Sequence, residues 1–213
     1  MIIRLFIAIL TLTLAIPSNA TDEPTSPPAT NDINPVHATL KEDPAQKIQI
    51  GKFIAGFEST TLDEIRKFLG TGLIDHSGDA ASSQYWLCYS LLGQRVWFIS
   101  HGEMGGSNHV LTQVHVISTG EKKVENKSCP TLPPEAIAVQ FDFGWIGTTK
   151  ESLIDSLGQP SGTDGNALIY FYHGKKTATY TGIHADWDVL GYVKVILENN
   201  RIVSIYASHV TSN

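Results

Sequence analysis

The sequence TTLDEIRKFLG at residues 60–70 recurs in looser form as TTKESLIDSLG at residues 148–158. The offset between the two segments is constant, at 88 residues (148 − 60 and 158 − 70). A Phe-x-x-Gly sequence precedes each segment, at residues 53–56 and 141–144, and β-like segments follow each one. The chain is therefore predicted to contain one small structural unit twice.

Each of the two segments is predicted to form a short helix. The first threonine of each segment, Thr60 or Thr148, suits the N-terminal cap, with an acidic residue three positions further on. Leucine and isoleucine residues fall on one face of each helix, as expected for packing against a core. Gly70 and Gly158 suit the left-handed position that ends a helix.

Segments rich in β-branched and aromatic residues follow each helix and are separated by turn residues. The fold class is predicted as α+β, with two tandem repeats, each a short helix packed on a three- to four-stranded antiparallel meander sheet. The segments 47–54 and 137–143 fit either a short strand or a helical turn. The other predicted strands are 84–92, 95–101, 110–117, 167–173, 175–181, 191–198 and 201–208.

Composition divides the chain into five parts. The N-terminus has the features of a signal peptide, with Arg4, an apolar stretch and a small-residue cleavage site ending at Ala20; an uncleaved anchor is the alternative. A proline-rich stretch follows, which is predicted to be either a spacer or a loose mature N-terminus. The predicted parts are a signal peptide at 1–20, a disordered linker at 21–46, a first repeat at 47–117, an inter-repeat linker at 118–136 and a second repeat at 137–213.

Cleavage near Ala20 predicts a periplasmic or secreted protein. It leaves 14 Lys and Arg (15 − 1) against 21 Asp and Glu, a net charge of −7. This charge argues against a nucleic-acid binder, and no later segment is long and apolar enough for stable membrane insertion. Cys88 and Cys129 are predicted to form a disulfide in such a compartment, whereas in a reducing one they would be buried thiols.

The helix segments and the meander after them resemble known secreted modules. The matching sequences are GWIGTT at 144–149, LGQP at 157–160 and the segment 56–70. They resemble the small outer-membrane assembly lipoprotein family of the SmpA/OmlA type and the β-lactamase inhibitory protein family, in which two such modules stand in tandem. The resemblance implies this α+β fold and a habit of binding proteins through the sheet.

Side-chain alternation along the strands places large aromatic residues on the sheet face away from the helices. Rings with polar tips are what protein interfaces favour. The alternative is that the rings shield the sheet or pack on the linker and the second module. The predicted protein-binding residues are Tyr89, Trp97, His115, Tyr192, Lys194 and Tyr206.

A polar cluster around the Gly102–Gly106 loop, formed by His101, Glu103 and His109, motivates the alternative function of an extracytoplasmic hydrolase. His109 and His115 would lie about 20 Å apart on an extended strand, too far for one metal ion. We therefore predict no catalytic residue, no metal and no cofactor. The preferred function is a non-enzymatic protein-binding module, an inhibitor or envelope-assembly accessory, whose partner is an envelope or extracellular protein.

Overall fold

The computed structural model describes residues 26–29, 38–79, 83–91, 93–101, 108–120, 128–132, 138–180 and 183–212. These residues form helices α1 (Leu62–Leu69) and α2 (Lys150–Leu157), neither of which is long and apolar enough to cross a membrane. The strands are β1 (Lys47–Ile50), β2 (Phe53–Gly56), β3 (Asp75–Ser77), β4 (Gln84–Leu91), β5 (Gln94–His101), β6 (Gln113–Ser118), β7 (Val139–Gln140), β8 (Gly162–Asp164), β9 (Ala167–Tyr180), β10 (Ile183–Glu198) and β11 (Arg201–Ser212).

An antiparallel sheet of eight strands dominates the fold, in the order β3-β4-β5-β6-β11-β10-β9-β8. Along the chain, α1 precedes β3 to β6, and α2 precedes β8 to β11. The two sets of strands meet where β6 pairs with β11. A smaller antiparallel sheet has the order β2-β1-β7, so the undecided segments near its strands are extended rather than helical. Antiparallel sheets with two helices agree with the predicted α+β class.

The main core lies on one face of the large sheet. Alternate residues of the central strands point to this face, and the two helices and the small sheet pack against it. The buried side chains from the sheet include Leu87, Phe98, Val114, Ala207, Val193 and Tyr170 in one cross-strand row and Tyr89, Val96, Val116, Ile205, Val195 and Leu168 in the next. Those that cover them include Leu62, Ile65, Leu153, Ile48 and Ile50.

Helix α1 starts one residue later than predicted. Its cap is Thr61, whose hydroxyl accepts from the Glu64 N–H at 3.2 Å while the Glu64 carboxylate accepts from the Thr61 N–H at 2.7 Å. The hydroxyl of Thr60 instead accepts from the Gly56 N–H at 2.9 Å. The first threonine is therefore used to close the preceding turn, and the second one caps the helix.

Helix α2 shows the same division between its two threonines. Thr149 is the cap and accepts from the Ser152 N–H at 3.3 Å, whereas the Thr148 hydroxyl accepts from the Trp145 N–H at 3.0 Å. The prediction that Thr60 and Thr148 are the caps was therefore wrong by one position in both helices.

The two predicted stop glycines both adopt a positive φ. Gly70 has φ 72° and ψ 1°, the left-handed conformation expected after a helix. Gly158 has φ 81° with ψ −165°, which lies outside the left-handed helical region. The prediction of that conformation is correct for Gly70 and wrong for Gly158.

Thr61→Ala is expected to lower the free energy of unfolding by about 1 kcal/mol, because the first turn of α1 loses its cap. Thr149→Ala is the matched control and is expected to cost less, because Ser152, which stands where α1 has Glu64, does not accept a hydrogen bond from the backbone N–H of the cap. Urea unfolding of both variants measures the difference. A larger cost at Thr149 would contradict the role assigned to the reciprocal cap of α1.

Strand β9 is continuous where the sequence predicts two strands and a turn. Gly174, placed in the turn by the sequence, pairs with Val189 of β10 inside the ladder. The pairing continues to Tyr180 opposite Ile183. The prediction was wrong because a Gly-Lys sequence is typical of a turn, whereas pairing to β10 keeps the chain extended here.

Part of the predicted disordered linker packs onto the fold. The Leu40 N–H donates to the Phe171 carbonyl at 2.7 Å, Ala45 is fully buried, and the Asp43 side chain is 3% exposed. Residues 38–46 of the predicted linker are therefore part of the described structure. The signal peptide predicted at 1–20 lies outside the described residues.

A disulfide joins Cys88 of β4 to Cys129, as predicted. Beside it, Ser90 exchanges backbone hydrogen bonds with Pro130 and Leu132, both at 3.1 Å. Since β3 pairs with only three residues of β4, this contact covers part of the remaining edge of that strand. The segment around Cys129, predicted to be a linker, therefore protects an edge that would otherwise be open to intermolecular pairing.

Candidate functional site

One cross-strand row on the face opposite the main core carries most of the predicted binding residues. Lys194 lies opposite Tyr206, Tyr206 opposite His115, and His115 opposite Trp97, which itself pairs with Cys88. Directly paired residues of neighbouring strands have side chains close enough to touch. Four of the six predicted residues therefore share one row across β10, β11, β6 and β5.

The rings in and beside this row form a continuous series. Trp97 and His115 have centroids 6.0 Å apart, His115 and Tyr206 are 5.8 Å apart, and Tyr206 and Tyr192 are 6.0 Å apart. Tilted and edge-on contacts at this distance are favourable for aromatic pairs. We call Trp86, Trp97, His115, Tyr192 and Tyr206 the aromatic face.

The aromatic face is more enclosed than the sequence predicts. Trp97 is 1% exposed, Tyr192 5% and His115 8%, whereas Tyr206 and Lys194 are half-buried. These three residues are therefore buried rather than presented on an open surface. Side-chain alternation predicts which face a residue is on, but it carries no information about what lies over that face.

Tyr89 lies on the other face of the sheet and is not part of the row. It pairs with Val96, its ring packs edge-on against Phe98 in the main core, and its hydroxyl donates to the Thr71 carbonyl at 2.8 Å. Burial raises the pKa of the Tyr89 phenol. The assignment of Tyr89 to the binding face was wrong, because the disulfide residue Cys88 next to it takes the position on that face.

Three buried polar atoms of the aromatic face have no hydrogen-bond partner among the described residues. They are Nε1 of Trp86, Nδ1 of His115 and Oη of Tyr192. Buried polar groups are nearly always paired in proteins, so three on one face call for an explanation. Sequence reasoning missed Trp86, although its position two residues before Cys88 places it on the same face as the disulfide.

The rings of the aromatic face are neutral at pH 7, and the charges lie beside them. Burial lowers the pKa of His115 to about 4 and raises the pKa of Tyr192 to about 12. The guanidinium of Arg95 lies 5.8 Å from the Trp97 ring centre. Lys194 forms an ion pair with Asp164 at 3.1 Å. The face is thus an apolar surface with hydrogen-bonding groups, with Arg95 beside one end and the Lys194–Asp164 ion pair beside the other.

A proline-containing segment from near the N-terminus lies at one end of the aromatic face. Ser26, Pro27, Pro28 and Ala29 line a cavity of about 370 Å³ together with Arg95, Trp97 and Ile117. Pro27 is half-buried, and its three neighbours are exposed. This part of the predicted linker is therefore positioned against the predicted binding surface.

Two of the three residues of the alternative hydrolase site, His101 and His109, lie in the described part of the chain. His101 is exposed, and its backbone N–H donates to the Thr112 hydroxyl at 3.0 Å. His109 stacks on Tyr85 with ring centres 3.7 Å apart. Glu103 lies outside the described residues. In the described ranges, no group of three or more His, Cys, Asp or Glu side chains could hold a metal ion.

Sequence reasoning also missed a buried charged cluster at the other side of the molecule. His209 of β11 contacts the carboxylate of Asp43 through Nδ1 and that of Glu58 through Nε2, the latter at 3.4 Å. The Thr211 N–H also donates to Glu58 at 2.7 Å. The three charged residues are far apart in sequence, so no local pattern predicts their contact. The cluster joins three segments of the fold.

Opposing effects set the protonation of this cluster. Burial alone would lower the pKa of His209, but its hydrogen bonds to Asp43 and Glu58 outweigh that effect and raise the pKa to about 9. Burial alone would raise the pKa of Glu58, but hydrogen bonds from His209 and Thr211 lower it to about 2. At pH 7 the cluster therefore holds a cationic imidazole between carboxylates.

Comparison of the chain with protein-family models, curated proteins and solved structures finds no significant match.

Proposed function

We propose that this protein is a non-enzymatic binding protein that holds a protein partner against the aromatic face. The observation that carries the proposal is the continuous series from Trp97 through His115 and Tyr206 to Tyr192, with unpaired polar atoms on the same face. Large, rigid rings with polar tips dominate the binding energy of protein interfaces. A partner's backbone can supply the missing hydrogen bonds.

The dimensions and charge of the face support a polypeptide partner. The row from Trp97 to Lys194 crosses three strand spacings, about 14 Å, which accommodates several residues of a partner chain. Near its ends lie Arg95 and the Lys194–Asp164 ion pair, so the face carries little charge and a polypeptide segment with few charges fits it. The acidic net charge of the whole chain argues against nucleic acid as the partner.

We propose further that the fold is a tandem duplication of the SmpA/OmlA type. The mirrored strand order, with β6 next to β11 and with β3 and β8 at the two edges, supports this proposal. So does the equivalent use of the threonine pairs 60–61 and 148–149, one to close a turn and one to cap a helix. The inhibitor-like or assembly-accessory role follows from this resemblance alone.

The proposed location is the periplasm or the extracellular space, after cleavage near Ala20. The support is the signal-like N-terminal sequence together with the disulfide between Cys88 and Cys129, which is stable in oxidising compartments. The proposed partner is accordingly an envelope or extracellular protein.

Tyr192→Ala combined with Tyr206→Ala is expected to abolish capture of a protein partner from an envelope extract, because two of the proposed anchor rings are removed. Immobilised wild-type and variant chains are compared by pulldown and mass spectrometry. Phe68→Ala is the matched control: Phe68 is 43% exposed on α1, so its loss should leave capture unchanged.

The buried ring of Tyr192 makes a folding control necessary. Tyr192→Phe with Tyr206→Phe keeps both rings and removes only the hydroxyls, so it is expected to fold and to bind more weakly than the wild type. Undiminished capture by the folded double alanine variant would refute the aromatic face as the binding surface.

A further inference from the structure

The unpaired polar atoms of the aromatic face lie along a line. Trp86 and Tyr192 belong to one cross-strand row, which runs through Ile99, Gln113 and Ser208. Four strand spacings separate the two residues, which is about 19 Å. His115 lies in the adjacent row between them. A ligand that pairs with all three atoms must therefore be elongated and cross the strands.

The chemistry of these atoms selects a ligand rich in hydrogen-bond acceptors. Nε1 of Trp86 can only donate, and the Tyr192 hydroxyl can donate as well as accept. Proline-rich chains supply backbone carbonyls and few N–H groups, and their rings pack on aromatic side chains. In the polyproline II conformation, about six residues span 19 Å. Such a segment fits both the spacing and the donors.

The chain itself places a short proline-containing segment next to the face. Ser26-Pro27-Pro28-Ala29 lines one cavity with Trp97 and Arg95, and Pro27 is half-buried there. The Trp97 ring, with the Arg95 guanidinium 5.8 Å from its centre, makes one wall of this cavity. The proline pair is thus at the Trp97 end of the row of rings.

We propose that the aromatic face recognises proline-rich extended polypeptide, and that residues 26–29 of the chain occupy its Trp97 end in cis until a proline-rich segment of a partner displaces them. This inference rests on the proposed function and specifies the partner's chemistry. A segment tethered close to its site has an effective concentration in the millimolar range. It therefore prevents binding of peptides with low affinity for the face, whereas a peptide with high affinity displaces it.

The test uses the full chain and a peptide of its own sequence. A fluorescein-labelled peptide of residues 24–31 (PTSPPATN) is titrated with the wild-type chain and with the Pro27→Ala, Pro28→Ala double variant, and binding is read by fluorescence anisotropy. The double variant is expected to bind the peptide at least tenfold more tightly than the wild type, because the cis competitor is weakened. Circular dichroism checks that both chains are folded.

Two matched controls test whether the prolines of the peptide and the hydroxyl of Tyr192 contribute to binding. A peptide with both central prolines replaced by alanine (PTSAAATN) is expected to lose most of its affinity. Tyr192→Phe, added to the double variant, is expected to weaken binding of the proline peptide by about tenfold, because one donor is lost without loss of the ring.

Equal affinity of the peptide for the wild type and the double variant overturns the proposal, as does equal affinity of the two peptides. Absence of binding to the folded double variant also overturns it. These failures are distinguishable from failure of the proposed function. Capture of an envelope protein that depends on Tyr192 and Tyr206 would still support the aromatic face as an interface for a partner without proline-rich chemistry.

Discussion

Loss of the disulfide between Cys88 and Cys129 is expected to lower the free energy of unfolding by about 4 kcal/mol. The bridge closes a loop of 41 residues, and in the chain-entropy model a loop of this length limits the unfolded ensemble by about that amount. For a chain of this size the unfolding temperature should fall by about 10 °C. Thermal unfolding with and without a reductant measures the change.

The Cys88→Ala, Cys129→Ala double variant separates the bridge from other effects of the reductant. Both cysteines are buried, at 1% and 0% exposure, and alanine introduces no polar atom there. The variant should unfold at the temperature of the reduced wild type and should not respond to reductant. Equal stability of the oxidised and reduced wild-type chains would show that the bridge contributes nothing.

His209→Gln is expected to lower the free energy of unfolding by about 3 kcal/mol at pH 6.5 or below. The pKa of His209 rises from 6.5 to about 9 in the folded protein, and a tenfold change in proton affinity corresponds to about 1.4 kcal/mol. The variant also leaves the carboxylate of Asp43, whose side chain is 3% exposed, without its cation. Denaturant unfolding at several pH values measures the loss.

The directions of the two pKa shifts determine how the stability contributed by the cluster changes with pH. Because the folded pKa of His209 is raised, its contribution is complete below pH 6.5 and is lost as the pH rises through about 9. Because the folded pKa of Glu58 is lowered from 4.5 to about 2, its contribution is present above pH 4.5 and is lost as the pH falls through about 2. The cluster therefore stabilises the fold most between pH 4.5 and 6.5.

A second histidine–carboxylate pair supplies the control for this prediction. His173 contacts Asp188 at 2.9 Å, but both side chains are about half exposed, at 47% and 48%. Exposed pairs of this kind contribute little, so His173→Gln should change stability much less than His209→Gln does. Parallel stability curves for the wild type and His209→Gln between pH 6.5 and 9 would be inconsistent with a raised pKa at His209.

The parts of this structure that follow local rules were predictable from the sequence. Trp97 alternates with Val96 and Phe98, so its position on the face away from the core follows from strand geometry. The two helices likewise follow from short sequence patterns, and the disulfide follows from the oxidising compartment predicted for the chain. The helix caps were wrong by one residue because consecutive threonines offer two equivalent hydroxyls, and the choice depends on which one closes the turn before the helix.

The parts that depend on distant pairing were not predictable. Tyr206 faces His115 only because β11 lies next to β6, and no pattern within either strand specifies that neighbour. The contact of Asp43 with His209 joins the two ends of the described fold. Tyr89 was misassigned because aromatic residues are favoured in interfaces. Neighbouring residues of a strand point to opposite faces of the sheet, and since Cys88 lies on the aromatic face, Tyr89 lies in the core.

The position of β11 has a consequence for how the protein acquires its structure. This strand follows all the others along the chain, yet it lies between β6 and β10 in the middle of the sheet. Strands β3 to β6 and β8 to β10 are complete before it emerges during synthesis, and neither group has its central neighbour until then. Pairings over such long sequence separations slow folding, so the complete eight-stranded sheet is expected to form only after β11 is available.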